Sequence, residues 1–344
     1  MKKNVFNTAL IAIVFVATSA VSILAHAEEF VSVYSARKEV LIKPILDVFT
    51  KQTGIKVNLI TGKADALLVR LKIEGEASPA DVFITVDAGR LQRAKAAGVL
   101  QAINSDVLQK NIPENLRDTD SQWFGLSQRA RPIFYSKEKV SPQELSTYED
   151  LADPKWHKRL CFRSSSSVYN QSQVASMIHS EGEQATEEWI KKAVANFARS
   201  PAGGDTEQLK AVAAGVCDIA IANTYYYGRL TNSDKPSDNA IVDKVGLFWP
   251  NQNGRGTHVN VSGAAVTKHA KNKQNAVKLI EFLTSDEAQE WYAAVNNEFP
   301  VVPEVKSSET LDAWGSFKSD NVALAILGEL NKQAVIVMDR AGWR

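Results

Sequence analysis

The chain has 344 residues, 44% hydrophobic and 23% charged, with 40 basic side chains against 39 acidic ones. This is the balance of an ordinary globular protein, and it excludes the basic excess that draws nucleic acid or an anionic membrane. The length leaves room for two domains of ordinary size.

Lys2 and Lys3 precede an almost wholly apolar run over residues 8–24, and Ala25-His26-Ala27 has the A-x-A form of a cleavage site. That is the pattern of a cleaved secretory signal peptide over residues 1–27. The run is short for a membrane span and ends in small residues, which argues against an anchor. No later stretch is long and apolar enough to cross a bilayer, so an exported protein without membrane insertion is expected. Only Lys2 and Lys3 leave with the peptide, so 38 basic and 39 acidic groups remain, a net charge of −1.

Residues 29–35 alternate and are β-branched, and predict a first strand. Ala36-Arg37-Lys38-Glu39 turns the chain into an amphipathic helix over 40–52, stopped by Thr53-Gly54. A strand at 55–60, a helix at 63–75, a strand at 80–85 and a helix at 88–97 follow. This alternation predicts an α/β domain with a mostly parallel sheet. Ligands of such sheets bind beyond the carboxyl ends of the strands, and residues 35–37 lie at one. After a polar break at 104–120, strands are expected within 123–135, a short capped helix at 146–151 and a strand at 161–163. Helices at 168–180, 183–197 and 206–214 lead to an apolar strand at 218–222. Residues 259–266 read as a strand crossing back to the first domain, followed by helices at 273–283, 285–294 and 321–339. The expected division is residues 28–128 with about 253–303 as one α/β domain, and 129–252 with about 304–344 as the other.

Asn223-Thr224-Tyr225-Tyr226-Tyr227-Gly228-Arg229 follows the 218–222 strand. Neighbouring side chains point in different directions, so one core cannot absorb three phenols. If Thr224 caps a helix here, Tyr225 and Tyr226 sit in its first turn, where the dipole favours negative charge. A free phenol has a pKa of about 10, so a phenolate at neutral pH needs a strong cation beside it. A hard trivalent metal supplies one; an aromatic patch that stacks on a sugar or a loop is the other reading. Tyr169 likewise opens a helix after a strand. The two cysteines, Cys161 and Cys217, fall in apparent strands before Tyr169 and before the tyrosine run, and an even count in an exported chain predicts a disulfide. With that bond formed, the strand ends are neighbours and three phenols converge. Phenolate oxygen is a hard donor suited to Fe(III), and three phenolates balance a 3+ charge.

No nucleophile elbow, Walker loop, H-E-x-x-H or C-x-x-C is present. Two other readings stay open on the residues alone. One is a carrier of an organic cation or oxyanion, with the tyrosines as an aromatic box. The other is a secreted hydrolase using the turn at residues 164–167 with His258.

The ordered stretches Val33-Tyr34-Ser35-Ala36-Arg37, Thr53-Gly54-Ile55-Lys56-Val57, Ser78-Pro79-Ala80-Asp81-Val82-Phe83-Ile84-Thr85, Arg129-Ala130-Arg131, Arg163-Ser164-Ser165-Ser166, Asn223-Thr224-Tyr225-Tyr226, Pro250-Asn251-Gln252 and Phe299-Pro300-Val301 run through nearly the whole mature chain. In these the chain resembles the periplasmic ferric-ion-binding proteins of ABC importers, within the type II extracellular solute-binding proteins. The resemblance implies a two-domain clamshell, each domain a mixed, mostly parallel sheet flanked by helices. It implies a non-enzymatic, monomeric receptor that closes on Fe(III) and docks on an inner-membrane permease with its ATPase. It implies Tyr169, Tyr225 and Tyr226 as iron ligands, with Tyr227 pointing elsewhere and Tyr135 structural. Many relatives read S-R-H-Y near the first strand and use the His and Tyr as further ligands; here the place reads Ala36-Arg37-Lys38-Glu39. By analogy with relatives lacking those donors, a synergistic anion such as carbonate fills the open positions, held by Arg37 and Arg129. Glu39 as a direct ligand is the alternative. Arg229, one turn after Tyr226, is expected to respond to the charge on the cluster.

Overall fold

A computed structural model describes residues 29–344, so the expected signal peptide at 1–27 lies outside the described residues. In chain order the strands are β1 (Phe30–Ser35), β2 (Lys56–Thr61), β3 (Val82–Val86), β4 (Phe124–Ala130), β5 (Ile133–Ser136), β6 (Leu160–Cys161), β7 (Ile219–Ile221), β8 (Val245–Phe248) and β9 (Val259–Val266). They form two mixed sheets flanked by helices, with orders β2-β1-β3-β9-β4 and β6-β7-β5-β8. In the first sheet β1 pairs in parallel with β2 and β3, and β9 runs antiparallel between β3 and β4. In the second, β6 and β7 are parallel and β5 is antiparallel to both β7 and β8. The chain passes from the first sheet to the second between β4 and β5, and returns between β8 and β9.

The strands are short and apolar because most are covered on both faces. Every residue of β9 is buried, as are five of the six in β1. The second sheet places two carboxyl ends side by side: Leu160 pairs with Ile219 and Cys161 with Ala220 in parallel register. The Cys161–Cys217 disulfide clamps these two segments. Cys217 lies in the irregular link before β7 rather than in the expected strand, because the strand hydrogen bonding begins only at Ile219.

Three other expectations need correction. Asn223, not Thr224, caps the helix Thr224–Thr231; Asn223 is extended, while Thr224 already lies inside the helix. The expected C-terminal helix at 321–339 starts later and is two helices, Ala325–Glu329 and Asn331–Arg340, broken at Leu330. The helix Pro236–Lys244 and β8 were not anticipated.

Both lobes meet near the helix Ala88–Ala96. Gly328 of Ala325–Glu329 lies so close to it that a Cβ there would stand 2.2 Å from Cβ of Gln92. Asp87, at the end of β3, has φ +83° and caps this helix by accepting from the Gly89 amide. The same Asp87 oxygen accepts from Ser172 Oγ on the helix Val168–Glu181 at 2.8 Å. That helix carries Tyr169 in its first turn.

Candidate metal centre

A cavity of about 170 Å³ lies between the two lobes. Ala36, Arg37, Lys38, Leu41, Val86 and Glu298 line one side; Tyr169, Tyr225, Tyr226 and Arg229 line the other. Each tyrosine enters from the first turn of a helix that follows one of the two clamped parallel strands. Tyr169 comes eight residues after Cys161, and Tyr225 eight after Cys217. Tyr225 Oη lies 3.0 Å from Tyr169 Oη. The rings of Tyr225 and Tyr226 are 4.4 Å apart at 34°. Three phenols thus converge on one cavity.

Their electrostatics are unbalanced. Burial pushes the Tyr225 hydroxyl well above the ordinary phenol pKa, and negative charge on Tyr169 or Tyr226 raises it further. Tyr226 is raised for the same reasons, burial first and then Tyr169. Cations surround the cluster. The Arg229 guanidinium lies 5.0 Å from the Tyr225 ring centre and 5.5 Å from that of Tyr226. Those of Arg129, Arg131 and Arg163 lie within 5.9 Å of the Tyr169 ring centre. Arg163 and Arg131 share the buried carboxylate of Asp205, at 2.8 and 3.5 Å. Asp205 also accepts from the Asn223 amide at 2.7 Å, which fixes the start of the tyrosine helix.

The opposite wall is different. Arg37 Nη1 donates to Glu298 Oε2 and to Ser262 Oγ, each at 2.9 Å. Arg129 Nη1 reaches the same Ser262 Oγ at 3.2 Å, while its Nε and Nη2 are buried without a hydrogen bond, Nη2 standing 4.0 Å from Asp87 Oδ2. Burial opposes the charge on Glu298, but Arg37 and Ser127 hold its carboxyl below the usual range. The segment carrying Glu298 is fixed to the edge of β4 by paired Gln128–Phe299 backbone bonds of 2.7 Å. Gly228 in the tyrosine helix lets this segment approach, since a Cβ there would stand 2.6 Å from Cβ of Asn297.

Of the residues singled out in the sequence, Tyr169, Tyr225, Tyr226, Arg37 and Arg229 are brought together. Arg129 is fully buried behind the cavity rather than lining it. Glu39 is exposed on the 3-10 turn Glu39–Leu41, outside the cavity lining. Glu298 was missed as a site residue. Its one local signal is a lone carboxylate opening the apolar run Phe299-Pro300-Val301-Val302-Pro303. Tyr227 turns away, donating to the Val245 carbonyl at 2.8 Å and packing on Phe134. His258 is buried and neither ring nitrogen has a hydrogen-bond partner, so it activates no serine. Ser164 and Ser166 bond to each other in an ordinary polar turn.

Among the described residues no cluster of three or more His, Cys, Asp or Glu side chains could hold a metal. The donors in the cavity are phenol and carboxylate oxygens, a set that suits a hard, highly charged cation. The profile of the family described as bacterial extracellular solute-binding protein matches residues 45–319. The chain is 51% identical to iron uptake protein A1 of Synechocystis, over 92% of this chain and 88% of that one. It is 30% identical to the major ferric iron-binding protein of Neisseria meningitidis serogroup B, over 91% and 93%. A solved structure of Trichodesmium FutA in complex with iron and citrate ligands superposes with a TM-score of 0.89 at 54% identity, covering 92% of this chain and all of that one.

Proposed function

The chain belongs to the bacterial extracellular solute-binding proteins, and from its tyrosine cluster we propose that it is a periplasmic receptor for ferric iron. Tyr169, Tyr225 and Tyr226 supply three phenolates whose charge balances Fe(III). The observation that carries this reading is the 3.0 Å approach of the Tyr225 and Tyr169 hydroxyls with Tyr226 beside them. Packing alone gives no reason to aim polar phenol ends at one cavity.

Iron prefers six donors, so oxygens from outside the chain, such as those of the chelator delivered with the metal, fill the remaining positions. Arg37, paired with Glu298 and with Arg129 behind it, is the cation on the side those donors face. Residues 28–128 with about 253–303 and residues 129–252 with about 304–344 act as two bodies that close on the metal, hinged where the chain crosses between the sheets. Closure is favoured because the liganded tyrosine wall gains contacts with the first lobe that the empty protein lacks. The closed, monomeric form then docks on an inner-membrane permease driven by its ATPase.

Titration of iron-free protein with ferric citrate tests the site. Tyrosinate-to-iron charge transfer is expected to give a visible band that saturates at about one iron per chain. Tyr225→Phe and Tyr226→Phe should each lose the band and weaken binding by more than about a hundredfold, beyond the usual cost of disturbing a supporting group. No band in the wild type removes the ferric reading and leaves an organic-ligand carrier.

A further inference from the structure

Of the three cations lining the cavity, Arg37 alone is buried, and it already has an anion. Glu298 presents its Oε2 to Arg37 Nη1 as one oxygen of bicarbonate or carbonate would, while Arg37 Nε has no hydrogen-bond partner. Glu298 is not free to drift away. Ser127 Oγ also donates to its Oε2, the backbone beside it is tied to β4, and the neighbouring Asn297 packs against Gly228. A carboxylate fixed beside its partner has a high effective concentration, so a dissolved anion competes with it at a disadvantage.

Resting on the ferric reading above, we propose that Glu298 is the specificity-determining residue for the co-ligand: a built-in competitor that occupies Arg37 and makes iron binding by this chain nearly independent of carbonate. Charge counting agrees. Three phenolates neutralise the ferric ion, and Arg37 with Glu298 adds nothing. Carbonate would bring further negative charge to a wall whose one buried, cavity-lining cation is already matched. Without the Glu298 carboxylate, the Arg37 guanidinium is exposed to the cavity as an anion site.

The test compares wild type, Glu298→Gln and the double variant Arg37→Gln/Glu298→Gln. Iron is loaded by air oxidation of ferrous chloride in bicarbonate-free buffer, and the visible band is followed as bicarbonate is added. The wild-type band should barely respond. The band of E298Q should grow with bicarbonate, with an apparent bicarbonate affinity about tenfold tighter than wild type, as expected for one charge-assisted hydrogen bond released. The double variant should lose that response, because the guanidinium is gone. Equal bicarbonate dependence in wild type and E298Q overturns the proposal, as does a double variant that keeps the E298Q response. If E298Q does not fold, Glu298→Asp carries the same comparison, since the shorter side chain keeps its charge but loses its reach to Arg37. A wild type with no band in any condition strikes the ferric reading itself. Calorimetric titration of bicarbonate into iron-free protein then still decides the role of Glu298: uptake by E298Q and not by wild type supports it, and equal heats overturn it.

Discussion

On the second-lobe wall of the cavity, three phenols converge, and burial with the neighbouring phenols makes Tyr225 and Tyr226 hard to ionise; on the first-lobe wall, Arg37 and Glu298 have already neutralised each other. Each wall has a buried polar core, Tyr225 on one and Arg37 with Glu298 on the other, so burial does not separate them. The difference is in what each still lacks. The tyrosine wall has hard oxygen donors held together by two helix starts and a disulfide, and no partner that lets them give up protons. On the opposite wall the buried charges that line the cavity, Arg37 and Glu298, are matched. A wall left incomplete in this way selects its ligand, whereas a balanced wall can only modulate what the other has selected.

Proton release measures this contrast with the largest expected effect. Tyr225 and Tyr226 both lie above the ordinary phenol pKa, so both carry protons at neutral pH. Ligation must displace both. Ferric affinity should therefore fall as pH falls, by at least about a hundredfold per unit from these two of the three ligands. Glu298 lies below the usual carboxyl range and keeps its charge across neutral pH, so the first wall adds no slope there. Competition against a chelator of known proton dependence, between about pH 6 and 8, gives the slope. A flat profile would mean that these phenols are not the ligands, and the contrast between the walls would collapse.

A smaller effect is expected from the cation over the tyrosine rings. Arg229 touches neither lobe's ion pairs and faces the Tyr225 and Tyr226 rings. Arg229→Gln should weaken ferric binding by about tenfold while leaving the visible band in place. Loss of the band would make Arg229 part of the ligand geometry rather than a charge beside it.

Much of the tyrosine wall was legible because its signal is local. Three consecutive phenols after an apolar strand are chemically conspicuous, and two cysteines at matching distances before Tyr169 and Tyr225 tie their segments together. Strands with both faces buried were also plain, and β9 occupies the expected Val259–Val266. The balanced wall was not legible. Arg37 and Glu298 are 261 positions apart, and nothing near Glu298 announces a partner. Glu39 drew attention by standing in the stretch where relatives read S-R-H-Y, but the 3-10 turn carries it to the surface. β8 escaped because its Gly246 looks like a break. It is there because a Cβ would stand 2.4 Å from the Tyr135 ring, so packing dictates what local pattern disfavours.

The finest division falls within the tyrosine helix itself, between Tyr226 and Tyr227. Adjacent residues on a helix point about 100° apart, so one serves the cavity and the next serves the core. Tyr227 packs on Phe134 and donates to the Val245 carbonyl, and burial pushes its hydroxyl up to about 12. Tyr227→Phe keeps the ring and removes one buried hydrogen bond, leaving the Val245 carbonyl short of a donor. Urea denaturation should show a loss of about 1 kcal/mol. The ferric band, its stoichiometry and its pH slope should match wild type. A Tyr227→Phe protein that lost the band while keeping its stability would place the third phenol of the run among the ligands, and the assignment of Tyr225 and Tyr226 would have to be redrawn.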